Sequence, residues 1–311
     1  MLRTYLQYKP AWLQLLLFVA IAFSISRLLL LIALPIVSSA THIGIGTITS
    51  ILSGTVIHPQ SKTILILFQS LNFVCLFLIP TLLYAHFASE QPNTYLGLTT
   101  RTTTKYFLYA IALLLVGIIA TAALGLLNKL IPMPASWVAT ELKQNAAIES
   151  IVKANNIGDL LLSIVVVGLF AAIGEELFFR AVLQRIIIQW VKQPLLGIVI
   201  TAVVFSAIHL QFSGFLPRVL LGFVLGCLYW YSGSIWVSIA FHFMYNTFGV
   251  VVAYFAPSQL KANAQVPIQT LQLYIFGAVA LVFIFIIIIK MKAKSLTNFD
   301  TVYPKQQNFF S

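Results

Sequence analysis

The sequence predicts an all-α, polytopic transmembrane helix bundle of about eight spans, and composition, hydropathy and run length each point to it. Of 311 residues, 60% are hydrophobic and 8% are charged, against about 25% charged in a typical soluble domain. Mean hydropathy is +0.98. The apolar residues run on for about 20 at a time, the length that crosses about 30 Å of hydrocarbon, without the two-residue alternation of an outer-membrane barrel. A disordered chain, a coiled coil, a disulfide-stapled secreted domain and a nucleic-acid reader are excluded, because each needs more polar surface or more cysteine. The lipid bilayer is therefore a partner and nucleic acid is not. The net charge of +11 comes from 18 Lys and Arg against 7 Asp and Glu, which in this class marks cytoplasmic loops and lipid headgroups.

The first three spans lie near Trp12 to Leu34, Ile64 to Phe87 and Tyr106 to Leu127, and form an N-terminal unit, residues 1–130. The first is too long for the apolar core of a signal peptide, so it reads as a retained anchor. Arg27 lies inside it; an intramembrane arginine is by default a functional candidate, but snorkelling or pairing with a neighbouring helix is the reading taken here. Pro35 to Lys62 is rich in Gly, Ser and Thr and reads as a flexible or re-entrant connection. Residues 131–157 form an interfacial loop. Within it Val138, Leu142, Ala146 and Val152 recur at near-helical spacing beside Glu141, Lys143, Glu149 and Lys153, which predicts a short helix at the membrane surface. Residues 158–255 hold four more spans, near Gly158 to Trp190, Leu195 to His209, Pro217 to Tyr231 and Ile235 to Phe255, of which the second and third are short. A last span near Leu271 to Ile289 and a polar tail complete residues 256–311. Cys75 and Cys227 sit in apolar runs, so no disulfide is expected. With the N-terminus inside, ten Lys and Arg fall on the inner side and six on the outer, which predicts that both termini are cytoplasmic.

Intramembrane polar residues are rare enough here that their positions carry meaning. Glu175 and Glu176 are consecutive and deep in the fourth span, where an unpaired carboxylate costs several kcal/mol. Arg180, four residues after Glu176, shares its face in the favoured order of acid before base. Glu175 is turned about 100° away and lacks that counter-charge, which suits a general base. His209 ends the fifth span, and His242 and Asn246 share one face of the seventh. His42, His58 and His86 lie in loops or at span ends and read as solvated. At 1.5 Å per residue, Glu175 and His209 each lie about 21 Å from their shared turn and Asn246 about 17 Å from the same surface. Four polar groups from three helices thus converge on one layer. The fourth helix is about 33 residues long, so it must tilt, protrude or kink near Gly174. A lone buried His or Asn in a membrane helix is more often interhelical glue; the matched depths favour a functional site.

The run Glu175-Glu176-Leu177-Phe178-Phe179-Arg180 reads EExxxR, Phe205-Ser206-Ala207-Ile208-His209 reads FxxxH, and His242-Phe243-Met244-Tyr245-Asn246 reads HxxxN. In that order, each on an apolar helix, they resemble the three motifs of the CAAX protease and bacteriocin-processing family, also called CPBP or Abi, which includes the Rce1-type prenyl-protein endopeptidases. The resemblance covers Gly158 to about Phe255. It implies an intramembrane endopeptidase acting on a peptide or protein substrate, lipidated in the eukaryotic members, with the site between the fourth, fifth and seventh spans. In that reading Glu175 activates a water, His209 and His242 position or polarise, and Asn246 donates to the oxyanion. Glu176, Arg180 and Phe205 support them. The family carries a metalloprotease label, and Glu175, His209 and His242 are a ligand set for Zn²⁺ with an open position. The other chemistry uses no metal and keeps Glu175 as the base. One Glu does not easily serve as both, and no HExxH supplies a second. The metal-free chemistry is the expectation, with no cofactor assigned and Zn²⁺ the alternative. Two other classes compete: a non-catalytic immunity or scaffold protein of the same fold, and an ion- or proton-coupled transporter, which would predict paired broken helices in two halves that the sequence lacks.

Overall fold

A computed structural model describes residues 4–256, 270–297 and 299–303. After a 3₁₀ turn at Tyr5–Tyr8, the chain forms α1 (Ala11–Thr41), α2 (Ile45–Leu52) and α3 (Ser61–Ala88). Then follow α4 (Thr104–Asn128), α5 (Ala135–Val152) and α6 (Ile157–Val191). The chain continues with α7 (Pro194–Ala207), α8 (Phe215–Ser232) and α9 (Ile235–Phe255), and α10 (Thr270–Lys294) and the single turn α11 (Phe299–Val302) close the described chain. No strand occurs among the described residues. Seven helices there are long and apolar enough to cross a membrane, so the chain is an integral membrane protein.

The fifth of the eight expected spans differs. α7 has 14 residues and rises about 21 Å, short of the hydrocarbon thickness, so the turn after it lies at membrane depth. Non-helical backbone is tolerated there only when protein covers it. Helix α5 supplies the cover: Trp137 stacks on Phe212 with centroids 4.3 Å apart, Glu141 accepts from the Ser213 backbone N–H at 3.1 Å and from its hydroxyl, and Asn145 Oδ1 accepts from Gln211 Nε2 at 3.0 Å. The expected short surface helix is thus an 18-residue helix that seals one end of the bundle. The segment expected to be flexible or re-entrant is also mostly helical, since α1 runs through Pro35 to Thr41 and α2 follows.

Helix α6 is 35 residues long and contains two π-helical stretches, Ile164–Phe170 and Leu177–Gln184, on either side of Ala171–Glu176. Such widened turns absorb extra residues and recur at functional sites. They flank Gly174, where a Cβ would come within 2.7 Å of the Phe73 ring and 3.1 Å of Phe77 Cβ. Glycine is what lets α3 and α6 approach closely beside the two glutamates. One core cluster packs α1, α3 and α6 through Phe18, Tyr84, Phe178 and Phe179. A second packs α4, α8, α9 and α10 around Leu113, Leu225, Phe241 and Ile284. The polar layer sits where α6, α7, α8 and α9 meet between these clusters.

Candidate active site

Glu176 and Arg180 are fully buried on α6 and pair at 3.3 Å between Oε1 and Nη1. The same Oε1 lies 2.9 Å from Nδ1 of His242 on α9. A carboxylate only accepts, so His242 donates from Nδ1 and its Nε2 is left as an acceptor in the neutral ring. Glu176 therefore joins two elements, whereas spacing alone links it to Arg180. The Arg180 guanidinium lies over the Phe205 ring, 4.5 Å from its centroid, and Phe205 stands edge-on to Phe179 at 5.1 Å. Phe205 is thereby a packing platform: it faces a buried cation and, one turn before His209, also meets the His209 ring at 4.9 Å.

Glu175 points elsewhere, with its side chain 14% exposed, and its Oε2 is 3.9 Å from His242 Nε2. That gap is too wide for a direct hydrogen bond and is a separation that one shared water bridges. His209 lies two residues beyond the end of α7, and its Nδ1 is 2.7 Å from the Phe205 carbonyl. A carbonyl only accepts, so Nδ1 carries the proton and Nε2 is left over. Asn246 donates from Nδ2 to the Val167 carbonyl at 3.0 Å, in the first π-helical stretch of α6. One Nδ2 hydrogen and Oδ1 stay available. Glu175, His209, His242 and Asn246 line one cavity of about 470 Å³, within the usual range for a ligand site. The four expected residues thus share one chamber, with Phe205 also in its wall and Glu176 and Arg180 behind it.

Three further polar residues line this cavity outside the motif positions: Gln69 on α3, Arg218 on α8 and Tyr245 on α9. Tyr245 donates to Thr121 Oγ1 on α4 at 3.0 Å. Arg218 is 14 residues before the end of α8 and so lies about 21 Å from that end, at the level of the others. The depth count that grouped Glu175 and His209 was the signal for it. Arg27 lines an adjoining cavity of about 600 Å³ that shares His209, Gln69, Ile148 and Ile151; its guanidinium lies over Phe23 at 4.9 Å.

The donor types suit Zn²⁺, but their arrangement does not close on an ion: among the described residues no three His, Cys, Asp or Glu side chains form a group that could hold a metal. Cys75 and Cys227 are free and buried.

Residues 157–248 match the family model described as Type II CAAX prenyl endopeptidase Rce1-like. No curated protein and no solved structure matches the chain. The matched stretch runs from the first residue of α6 to the middle of α9 and contains Glu175, Glu176, Arg180, Phe205, His209, His242 and Asn246. This segment of the chain, with its three motifs around one cavity, is thus similar to the Rce1-like type II CAAX prenyl endopeptidases.

Proposed function

We propose that the chain is an intramembrane endopeptidase that hydrolyses a peptide bond in a membrane-associated or lipidated substrate by a metal-free, glutamate-activated water. The observation that carries this reading is the 3.9 Å gap between Glu175 Oε2 and His242 Nε2, in a cavity that also receives His209 and Asn246. A water in that gap donates one hydrogen to each. Glu175 takes a proton as the oxygen attacks the scissile carbonyl, and His242 Nε2 holds the other hydrogen so that the lone pair faces the carbon. Glu176 keeps His242 in the tautomer this requires, as an orienting carboxylate does in other hydrolytic sites. The free Nδ2 hydrogen of Asn246 is an uncharged donor for the oxyanion, with its other hydrogen fixed on Val167 so that little reorganisation is needed. Glu175 then passes its proton to the leaving nitrogen. His209 Nε2 is a further polar contact that aligns the substrate. The Rce1-like segment supports proteolysis at the family level, and the family's description supplies a prenylated protein as the substrate class.

The test is cleavage of a farnesylated CAAX peptide by purified protein. Glu175→Gln and Asn246→Ala are each expected to lower kcat by about 10²- to 10³-fold, and His242→Ala by about 10²-fold or more. A metal chelator is expected to leave the wild-type rate unchanged. Loss on chelation that Zn²⁺ restores would overturn the metal-free step, and full activity in Glu175→Gln would overturn the site.

A further inference from the structure

Away from the catalytic cavity, basic side chains converge on a second pocket, of about 420 Å³, where three membrane-crossing helices end together. Arg101 lies before α4, Lys105 in its first turn and Lys294 at the last position of α10, while the end of α8 supplies Tyr231 and Ser232. The three cations are exposed, and none has a hydrogen bond or ion pair among the described residues. No side-chain carboxylate of the chain relieves them. All seven Asp and Glu residues are among those described, none lines the pocket, and their ion pairs go to Lys62, Arg180 and His242. The walls are tied together. Thr102 donates to the Ser232 carbonyl at 3.4 Å, the turn after α10 is closed by the Thr297 N–H on Ser295 Oγ at 3.1 Å, and a Cβ at Gly233 would lie 3.3 Å from Thr297 Oγ1. Like charges held this close repel until an anion joins them.

Depth and surroundings select the anion. Helices α4 and α10 have 25 residues each and rise about 37 Å, more than the roughly 30 Å of hydrocarbon, so Lys105 and Lys294 reach the headgroup level. Toward the bilayer centre, exposed Leu108, Ile111 and Leu115 continue the Lys105 stripe of α4, and exposed Ile286 and Phe283 continue the Lys294 stripe of α10. Acyl chains pack on such a surface and a soluble anion does not. A zwitterionic headgroup would bring an ammonium into a site with three cations and no carboxylate, whereas an anionic one brings phosphate without it.

We propose that this pocket binds one anionic phospholipid, whose phosphodiester is held by Arg101, Lys105 and Lys294 and whose acyl chains lie along the exposed stripes of α4 and α10. The bound lipid ties together the ends of α4, α8 and α10, which pack with α9 in the second core cluster. The site goes beyond the proteolytic reading and does not depend on it.

The test is native mass spectrometry of the full-length protein in mixed micelles holding phosphatidylglycerol and phosphatidylcholine in equal amounts, with matched acyl chains. Wild type is expected to retain one phosphatidylglycerol, preferred over phosphatidylcholine by about tenfold or more. Lys105→Gln/Lys294→Gln should lose that preference, and Lys105→Arg/Lys294→Arg, which keeps the charge, should retain it. The control is Lys9→Gln/Lys192→Gln, which removes the same charge outside the pocket and should bind as wild type does. Equal retention of the two lipids by wild type overturns the proposal, as does a control that loses the preference as fully as the pocket variant, which would make the effect one of net charge. Displacement of the lipid by inorganic phosphate in excess overturns it too, since the pocket would then be a site for soluble anions.

Discussion

Glu176 is fully buried and holds both Arg180 and His242, while Glu175 reaches the cavity and has no ion-pair partner closer than 3.9 Å. Removing one member of a buried pair leaves an uncompensated charge and costs about 3–5 kcal/mol. Glu176→Ala is therefore expected to lower the unfolding free energy by about that much in a denaturant titration in mixed micelles. Glu175→Gln, which leaves the Glu176 ties intact, is expected to stay within about 1 kcal/mol of wild type while lowering kcat by about 10²- to 10³-fold. Equal destabilisation by both would remove the division of roles. The spacings EExxxR, FxxxH and HxxxN made most of this site legible, because i to i+4 on a helix fixes a shared face. Two things were not legible. The bond from Glu176 to His242 crosses 66 positions and depends on how α6 and α9 pack. Arg218 belongs to no motif; its depth on α8 can be counted, but its place in the cavity wall depends on how α8 packs against its neighbours.

Among the elements, α6 and α7 depart most from straight, full-length spans, and both departures serve the cavity. The length of α6 alone predicts that it tilts, protrudes or kinks near Gly174. It could not show that two π-helical stretches bracket that residue, since their hydrogen-bond shift depends on packing against α3 and α9. The close approach at Gly174 makes a specific contrast testable. A Cβ there meets Phe73 and Phe77, so Gly174→Ala forces overpacking that costs about 1–3 kcal/mol and displaces the neighbouring Glu175. At Gly117, in the middle of α4, a Cβ meets nothing within 4 Å. Gly117→Ala is expected to stabilise by about 0.5–1 kcal/mol through helix propensity. Unfolding titrations and peptide cleavage on both variants check the pair, and a neutral, active Gly174→Ala would show that the helices have room to separate. The α5 cover had a visible periodicity, but its anchoring had no sequence signal, because Glu141 meets Ser213 across 72 positions.

For the whole molecule, charge and helix order together set which way the cavity faces. The short connections after α3, α6 and α8 and the end of α10 lie on the side of the N-terminus, while α2, α5 and the turn between α7 and α8 lie on the other. With Arg218 counted inside α8, Lys and Arg in the sequence divide ten to five in favour of the N-terminal side, and the positive-inside rule then predicts cytoplasmic termini. On that topology α5 would cover the cavity from the external side, and a substrate would enter past α5 or laterally from the outer half of the bilayer. The two native cysteines are buried, Cys75 at 3% exposure and Cys227 at 0%, so a single introduced cysteine can be read against a silent background. Lys143 on α5 and Arg101 before α4 are both exposed. A membrane-impermeant maleimide is expected to label Lys143→Cys in intact cells and Arg101→Cys only in inverted vesicles. The reverse pattern would turn the α5 face, and with it the approach to Glu175, toward the cytoplasm, where a prenylated cytoplasmic protein would meet it directly.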